Sequence, residues 1–482
     1  MSKKAENLDK EEHCKLIEDA KEFYDGHEIE TLPEGLRRNS MDHYYLSVYP
    51  GLQEMHPIKE HPAHSEKVSS MYVHLPFCSR ICDFCSYFVK GVGNDKKQID
   101  SYFRLLTQEF DNHQRDTNFS LDYIYFGGGT PSLVPPKTLD AFLGHLQDKG
   151  ALSDRVLGTV ELHPEFFKNS ANAQDFFNVM KEHGIRRVSI GYQSSNDGVL
   201  EDTNRGHDAG FLQEAVRLIC ENGFRFNIDL MYGLSGLTAI DWAKSLKDSL
   251  AMSSDSISSY FLFVNKRTGM RRDVEEKKIV LPSHREIQIQ HIMAQIALEK
   301  QGYFELPNDF FTRPTPEFDS STIVQEKLPS ATESLSIGAG SYGFSNRVQY
   351  YNQFDLNQYA LAVKEGRSTV WMGYQMDDEV LLRRDLMFSF KNAPHINRRL
   401  FTERYQKDPV DVFATEMDKL NKLGLVSIST EKVSLTQKGR LIVEEIACQF
   451  KDPRVSHTFK KGKNISLLER HSFSPEYRKI DK

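Results

Sequence analysis

The stretch Tyr72-Val73-His74-Leu75-Pro76-Phe77-Cys78-Ser79-Arg80-Ile81-Cys82-Asp83-Phe84-Cys85 decides how the chain is read. Its apolar start reads as a strand, and Pro76 ends it. Three cysteines follow at C-x3-C-x2-C spacing. Three thiolates on one short loop suit three irons of a cubane iron–sulfur cluster, whose closed form takes four cysteines. With three, one iron keeps an open position for a small molecule, by the logic that separates catalytic from structural zinc sites. A zinc knuckle is the competing reading. It wants a fourth Cys or His close by, and His74 lies in the strand.

Across all 482 residues there are only six cysteines, at 14, 78, 82, 85, 220 and 448. That is no disulfide framework. It suits a reducing compartment and a local metal or redox task. Lys and Arg total 61 against 68 Asp and Glu, a net charge of −7, so no general pull toward nucleic acid is expected. With 39% hydrophobic residues the chain can build a sizeable core. No apolar run reaches the roughly 18 residues of a membrane helix, and the first residues are charged, unlike a signal peptide. A cytoplasmic protein with no membrane partner is expected.

Outward from the cysteines, short β-rich runs alternate with helical windows. Strands are predicted at 71–74, 123–126, 156–162, 187–190, 225–231 and 256–261. Helices are predicted at 100–113, 137–149, 173–182, 211–222 and 240–251. This alternation implies an α/β fold built of βαβ units around a parallel sheet, a (β/α)6-type partial or full barrel with its working residues at the carboxyl ends of strands. Residues 71–375 form that unit, with a helix at 285–301 and then an irregular Pro- and Gly-rich stretch. Residues 1–70, helical near 11–24, read as an arm. Helical windows at 379–391 and 410–423, strands at 425–429 and 432–435, and a helix at 437–450 outline a small winged-helix-like domain over 376–450. Residues 451–482 read as a polar, flexible tail.

The cysteine motif, with an aromatic before its last Cys, resembles the radical S-adenosylmethionine (SAM) superfamily. The resemblance implies a [4Fe-4S] cluster on Cys78, Cys82 and Cys85. It also implies SAM on the open iron, cleaved to a 5′-deoxyadenosyl radical. Phe126-Gly127-Gly128-Gly129-Thr130-Pro131 then resembles the motif for the SAM amino group, since glycines let backbone approach a ligand closely. Glu161 and Gln193 end the third and fourth strands. Arg205, in Asn204-Arg205-Gly206-His207, could grip a carboxylate with both arms of its guanidinium. Asp229 could take a ribose hydroxyl.

The match extends to the oxygen-independent coproporphyrinogen III oxidase family over residues 45–450. It is carried by Tyr72–Cys78, the glycine turn, Ser189–Gln193, Ile228–Leu234, Arg383-Arg384-Asp385, Leu423–Val426 and Leu435–Arg440. Tyr45…Tyr49-Pro50 resembles the family's arm over the active site. By this resemblance Tyr72, Phe84, Gly128, Gly129, Thr130, Glu161, Gln193, Arg205, Asp229 and Tyr342 contact SAM, two molecules of which are expected. Flavodoxin or ferredoxin would supply electrons to a monomeric enzyme acting on a small molecule or tetrapyrrole. The family's decarboxylases carry a further Cys two positions after the third, where this chain has Tyr87. Elimination then favours the branch that uses two SAM molecules for one-carbon transfer, by methylation or cyclopropanation. Porphyrinogen decarboxylation, or haem binding, degradation or delivery, is the alternative.

Overall fold

From Val68 to Phe261 one unit repeats: a β-rich run, a loop and an amphipathic helix. The computed structural model describes residues 3–455 apart from 39, 42–45, 47, 65–67, 93–94, 116–118, 266–267, 308, 315–328, 332 and 394. Six strands result, β1 (Val68–Leu75), β2 (Phe119–Gly128), β3 (Leu152–Leu162), β4 (Arg187–Gln193), β5 (Arg225–Tyr232) and β6 (Ser256–Phe261). Each pairs with the next in parallel. The barrel helices are α2 (Lys96–Gln114), α3 (Pro136–Asp148), α4 (Ser170–Glu182), α5 (Phe211–Glu221), α6 (Ala239–Ala251) and α7 (His284–Lys300), and they follow α1 (Lys3–Gly26). In α2 the buried side chains Ile99, Tyr102, Phe103, Leu106 and Phe110 recur at three- and four-residue steps, the stripe that seats a helix on a sheet. Asp95 caps its first turn by accepting from the Gln98 amide.

The strands β7 (Phe304–Leu306) and β8 (Phe310–Thr312) extend the sheet antiparallel beyond β6. On the opposite edge β9 (Leu335–Ile337) pairs in parallel with β1, Ser336 opposite Tyr72. The nine strands run β7-β8-β6-β5-β4-β3-β2-β1-β9, and the two edge strands do not pair. The barrel is partial, and its open seam lies beside β9.

The stretch expected to be irregular after α7 holds regular strands, β7 to β9 among them. An antiparallel sheet of β10 (Tyr342–Ser345), β11 (Val348–Asn352) and β12 (Val370–Gln375) packs there, with the helix Leu356–Lys364 between its last two strands. The hairpin turn is Asn346-Arg347 with both φ positive, at 44° and 65°. That is the geometry usually signalled by Asn-Gly, so the sequence carries no obvious hairpin signature there.

The C-terminal unit begins with α8 (Asp378–Asn392) and carries a three-stranded sheet of β13 (His395–Asn397), β14 (Val426–Ile428) and β15 (Lys432–Leu435). Two predicted helices are each broken. The window 410–423 becomes Pro409–Val412 and Ala414–Lys422, because Phe413 leaves helical geometry (φ −115°) to bury its ring against Phe450 and the Arg383 guanidinium. The window 437–450 becomes Gln437–Arg440 and Val443–Cys448, with Ile442 outside helical geometry at φ −138°.

Helix α1 runs along α6 and α7, where Tyr24 is buried and Asp25 takes both arms of the Arg285 guanidinium. Arg38 then plunges into the sheet. It donates to Tyr232 Oη at 2.7 Å and lies 3.5 Å from Asp309 and 3.7 Å from Glu445. One buried guanidinium thus ties the N-terminal segment, the barrel and the C-terminal unit together. Among the described residues no helix is long and apolar enough to cross a membrane. Tyr45 and residues 456–482 lie outside the described residues. Tyr49, expected in the arm, accepts from the Asp452 amide at 2.7 Å.

Candidate functional site

Pro76 turns the chain off the end of β1, and residues 76–92 close into a loop. The Lys90 amide donates to Pro76 O at 2.6 Å, Val92 to Cys78 O at 3.0 Å and Cys85 to Cys82 O at 3.1 Å. Cys78 is buried; Cys82 and Cys85 are half-buried, and Phe84 between them packs on the core edge. The Thr130 hydroxyl meets the Cys78 thiol, and Arg205 Nη1 stands 3.3 Å from Cys82 Sγ. Burial pushes the Cys78 and Cys85 thiols up to about 12, with Arg205 pulling weakly the other way. Bare thiolates are therefore disfavoured here, and positive charge from iron is what would let three of them form. The three sulfurs are not gathered within 4.8 Å of one another, the spread of donors around a single ion. A cluster, with its wider ligand spacing, suits them better. Cys14 and Cys220 are exposed and far along the chain, as is half-buried Cys448.

The glycine turn lies directly on this loop. The Gly129 amide donates to Leu75 O, and the Thr130 amide to Phe77 O, both at 2.7 Å. A Cβ on Gly129 would sit 2.4 Å from Phe77 O and 2.8 Å from Leu75 O. One on Gly128, whose φ is +110°, would sit 2.5 Å from the His74 ring. The missing side chains thus serve first to let β2 close onto the cysteine loop.

Glu161 ties the turn from below, accepting from the Gly128 amide at 3.2 Å and from Tyr125 Oη at 2.9 Å. Its carboxyl is pushed up to about 7, chiefly by burial and then by Asp229. Asp229 is itself raised to about 6 by burial, though Ser189 Oγ (3.1 Å) and Asn227 Nδ2 (2.7 Å) donate to it. Tyr72 stacks beside Tyr125 at 6.0 Å, and its hydroxyl lies 3.0 Å from His74 Nδ1. His74 Nε2 faces Phe88 O at 3.1 Å, so Nε2 carries the proton and Nδ1 accepts from Tyr72. Burial, and next the Glu161 charge, raise the Tyr72 and Tyr342 phenols. Tyr72, Tyr342, Glu161 and Asp229 thus feel one another within a single enclosure.

Gln193 ends β4 after a register shift and sits at φ 70°, a rare geometry for a residue with a side chain. Its Oε1 and the Nε of Arg205 are buried with no hydrogen-bond partner among the described residues. The remaining Arg205 nitrogen, Nη2, donates to Gly191 O. Orphaned polar atoms at a strand end ask for a ligand. Three neighbouring thiols, two half-buried carboxyl groups and these two orphans fit an iron–sulfur cluster and a cationic, amino-acid-bearing SAM.

Several residues that sequence reasoning missed build the enclosure. His74 and Tyr125 orient Tyr72 and Glu161; Ser189 and Asn227 orient Asp229. All occupy alternate positions of predicted strands, so strand period alone placed them without marking them as functional. From Tyr342 a chain of rings continues through Tyr351 (5.4 Å), Phe354 (5.8 Å) and Trp371 (5.4 Å). Phe88 of the cysteine loop joins it, 5.3 Å from Phe354.

The radical SAM superfamily model matches residues 72–249, the part of the chain that forms most of the parallel partial barrel and carries the cysteine loop. Over a longer span the chain is similar to the heme chaperone HemW of Bacillus subtilis, 24% identical over 388 residues that make up 79% of this chain and 98% of the relative. It is likewise 25% identical to the oxygen-independent coproporphyrinogen III oxidase of Escherichia coli, over 80% of this chain and 86% of that one. The fold matches the crystal structure of that E. coli enzyme with a TM-score of 0.71 at 24% identity, covering 85% of this chain and 97% of the other. These two relatives are a haem chaperone and a porphyrinogen oxidase. The expectation of methylation or cyclopropanation is therefore set aside in favour of its alternative. It rested on eliminating branches by a few residues, a weaker argument than similarity along four-fifths of the chain.

Proposed function

We propose that this protein cleaves SAM reductively at Cys78, Cys82 and Cys85 and directs the radical at a tetrapyrrole, in the manner of porphyrinogen side-chain oxidation. The observation that carries the proposal is the half-buried enclosure of Tyr72, Glu161, Asp229 and Tyr342 beside the cysteine loop. A cluster bound there supplies the electron that splits SAM into methionine and a 5′-deoxyadenosyl radical. The protein's part is placement. Arg205 balances thiolate charge beside Cys82, and Glu161 holds the glycine turn on the loop. Glu161 and Asp229, when ionised, complement a cationic ligand. The rings of Tyr342, Tyr351, Phe354 and Trp371 offer a flat macrocycle a stacking path out of the enclosure.

A second reading, haem binding for delivery, is favoured by Tyr87. It stands, 56% exposed, where the family's decarboxylases place a cysteine. One experiment separates the two. Anaerobically reconstituted protein is reduced with dithionite and given SAM and coproporphyrinogen III. 5′-Deoxyadenosine with loss of carbon dioxide from the porphyrinogen supports decarboxylation. 5′-Deoxyadenosine without porphyrinogen turnover, alongside stoichiometric haem binding, supports delivery. No 5′-deoxyadenosine from iron-loaded protein overturns the radical reading itself.

A further inference from the structure

The run Arg383-Arg384-Asp385 lies on α8, apart from the cysteine loop, and its two guanidinium groups are used differently. Arg383 donates to Glu379 at 2.8 Å and to Phe450 O at 3.2 Å, and it lies over the Phe413 ring. Arg384 turns inward and is only 7% exposed. Its guanidinium carbon lies 3.8 Å from the centre of the Phe344 ring of β10 and 4.7 Å from that of Phe388, one turn along α8. Stacking uses the faces of a guanidinium and leaves its N–H edge free to donate.

That edge is unfilled. Arg384 Nε and Nη1 are buried with no hydrogen-bond partner among the described residues. The Asp385 charge steadies the cation, but the Asp385 oxygens are taken by the Ser330 amide at 2.7 Å, Ser330 Oγ at 2.5 Å and Tyr405 Oη at 2.6 Å. Arg38, buried as deeply, has Tyr232 and Asp309 against its fork. Burial pulls Arg384 down to about 10, so it stays cationic at physiological pH. Unpaired buried donors of a charged group are costly, and a ligand that brings the missing acceptors relieves that cost.

The place of Arg384 says what that ligand is. Phe344 and Tyr342 share one face of β10, two residues or about 7 Å apart along the strand. Tyr342 belongs to the enclosure, where the Glu161 charge acts on its phenol. The carboxyl groups of Glu161 and Asp229 repel an anionic arm when ionised, so the cation beside Phe344 is the group that can hold one. We propose that Arg384 binds a carboxylate arm of the substrate through its guanidinium fork while the macrocycle lies against Tyr342. The proposal rests on the tetrapyrrole reading above and adds to it the group that tells an acid side arm from a neutral one, by the paired N–H···O bonds that arginine makes to carboxylate.

The test uses cluster-loaded protein under anaerobic conditions. The probes are coproporphyrin III, a stable oxidised macrocycle, and its neutral tetramethyl ester, with binding read by porphyrin fluorescence. We expect the unaltered protein to bind the acid roughly 10- to 100-fold tighter than the ester. Arg384→Met should erase that preference and leave the affinity for the ester in place. It should also keep the iron and the melting temperature of ligand-free protein, since it removes an unpaired buried cation at similar volume. Arg384→Lys keeps the charge without the fork and should hold only part of the preference. A preference that survives Arg384→Met overturns the proposal. If Arg384→Met holds no iron, Arg384→Lys decides, and an undiminished preference there overturns it. Equal binding of acid and ester by the unaltered protein overturns the anchor alone. Binding of neither overturns the tetrapyrrole reading, and the anchor with it.

Discussion

Gly129→Ala tests the tie between the glycine turn and the cysteine loop. The added Cβ would lie 2.4 Å from Phe77 O and 2.8 Å from Leu75 O, where ordinary contact begins near 3.4 Å. Both oxygens are backbone and already accept from this turn, at 2.7 Å from the Thr130 and Gly129 amides. The two segments must part by about 1 Å, which weakens both hydrogen bonds, at about 0.5–1.5 kcal/mol each, on top of about 1–3 kcal/mol of overpacking. A loss of roughly 2–6 kcal/mol follows, felt one residue from Cys78. The assay is iron per chain after anaerobic reconstitution, with the melting temperature beside it. Gly35→Ala is the control, because its Cβ would meet nothing within 4 Å. Gly129→Ala should melt lower and hold less iron than the control. Equal iron and equal melting in the two variants would refute the reasoning.

Replacing Cys78, Cys82 or Cys85 by Ala should abolish iron–sulfur absorbance and SAM cleavage, whereas Cys14, Cys220 and Cys448 to Ala should retain both. Glu109→Ala should destabilise by about 3–5 kcal/mol in denaturant titration, since removing a buried polar hub strands its partners. Gly338 N (2.8 Å), Tyr359 Oη (2.5 Å), Thr369 Oγ1 (2.7 Å) and Asn352 Nδ2 (3.3 Å) all donate to that carboxyl. Glu161 is raised from 4.5 to about 7, chiefly by burial, so its contribution to stability is full below about pH 4.5 and lost as pH rises through 7. Between pH 6 and 8 the melting temperature of SAM-free protein should therefore fall more in wild type than in Glu161→Gln; parallel profiles would count against this.

The barrel strands were legible because each buries apolar residues in a short run closed by turn residues. The prediction for Ser256–Phe261 matches to the residue, while β1 to β3 begin three or four residues earlier than predicted, where polar residues join the ladder. The small sheet was illegible because Asn346-Arg347 carries no familiar turn signal. In the site, the cysteines and strand-end residues could be named from spacing and resemblance. The partners that fix them could not. Glu109 lies on α2 and reads as one more charged helix residue until Gly338 and Tyr359, more than 220 positions away, bring their donors to it. Arg38 is the same case, since its partners Tyr232, Asp309 and Glu445 are scattered over the chain.

The pairing of β9 with β1 bears on the order in which the molecule is made. The turn at Gly338 packs against His74 O, and Gly340 lies under the Phe88 ring, so the cysteine loop is completed by residues some 250 positions downstream. At about 5–20 residues per second of synthesis, the three cysteines emerge roughly 12–50 s before the segment that walls them in. Contacts so distant in sequence also close late in folding. For that interval the loop is a ligand set with one side missing, open to whatever donates iron and sulfide, and the last parallel strand then shuts the door behind it.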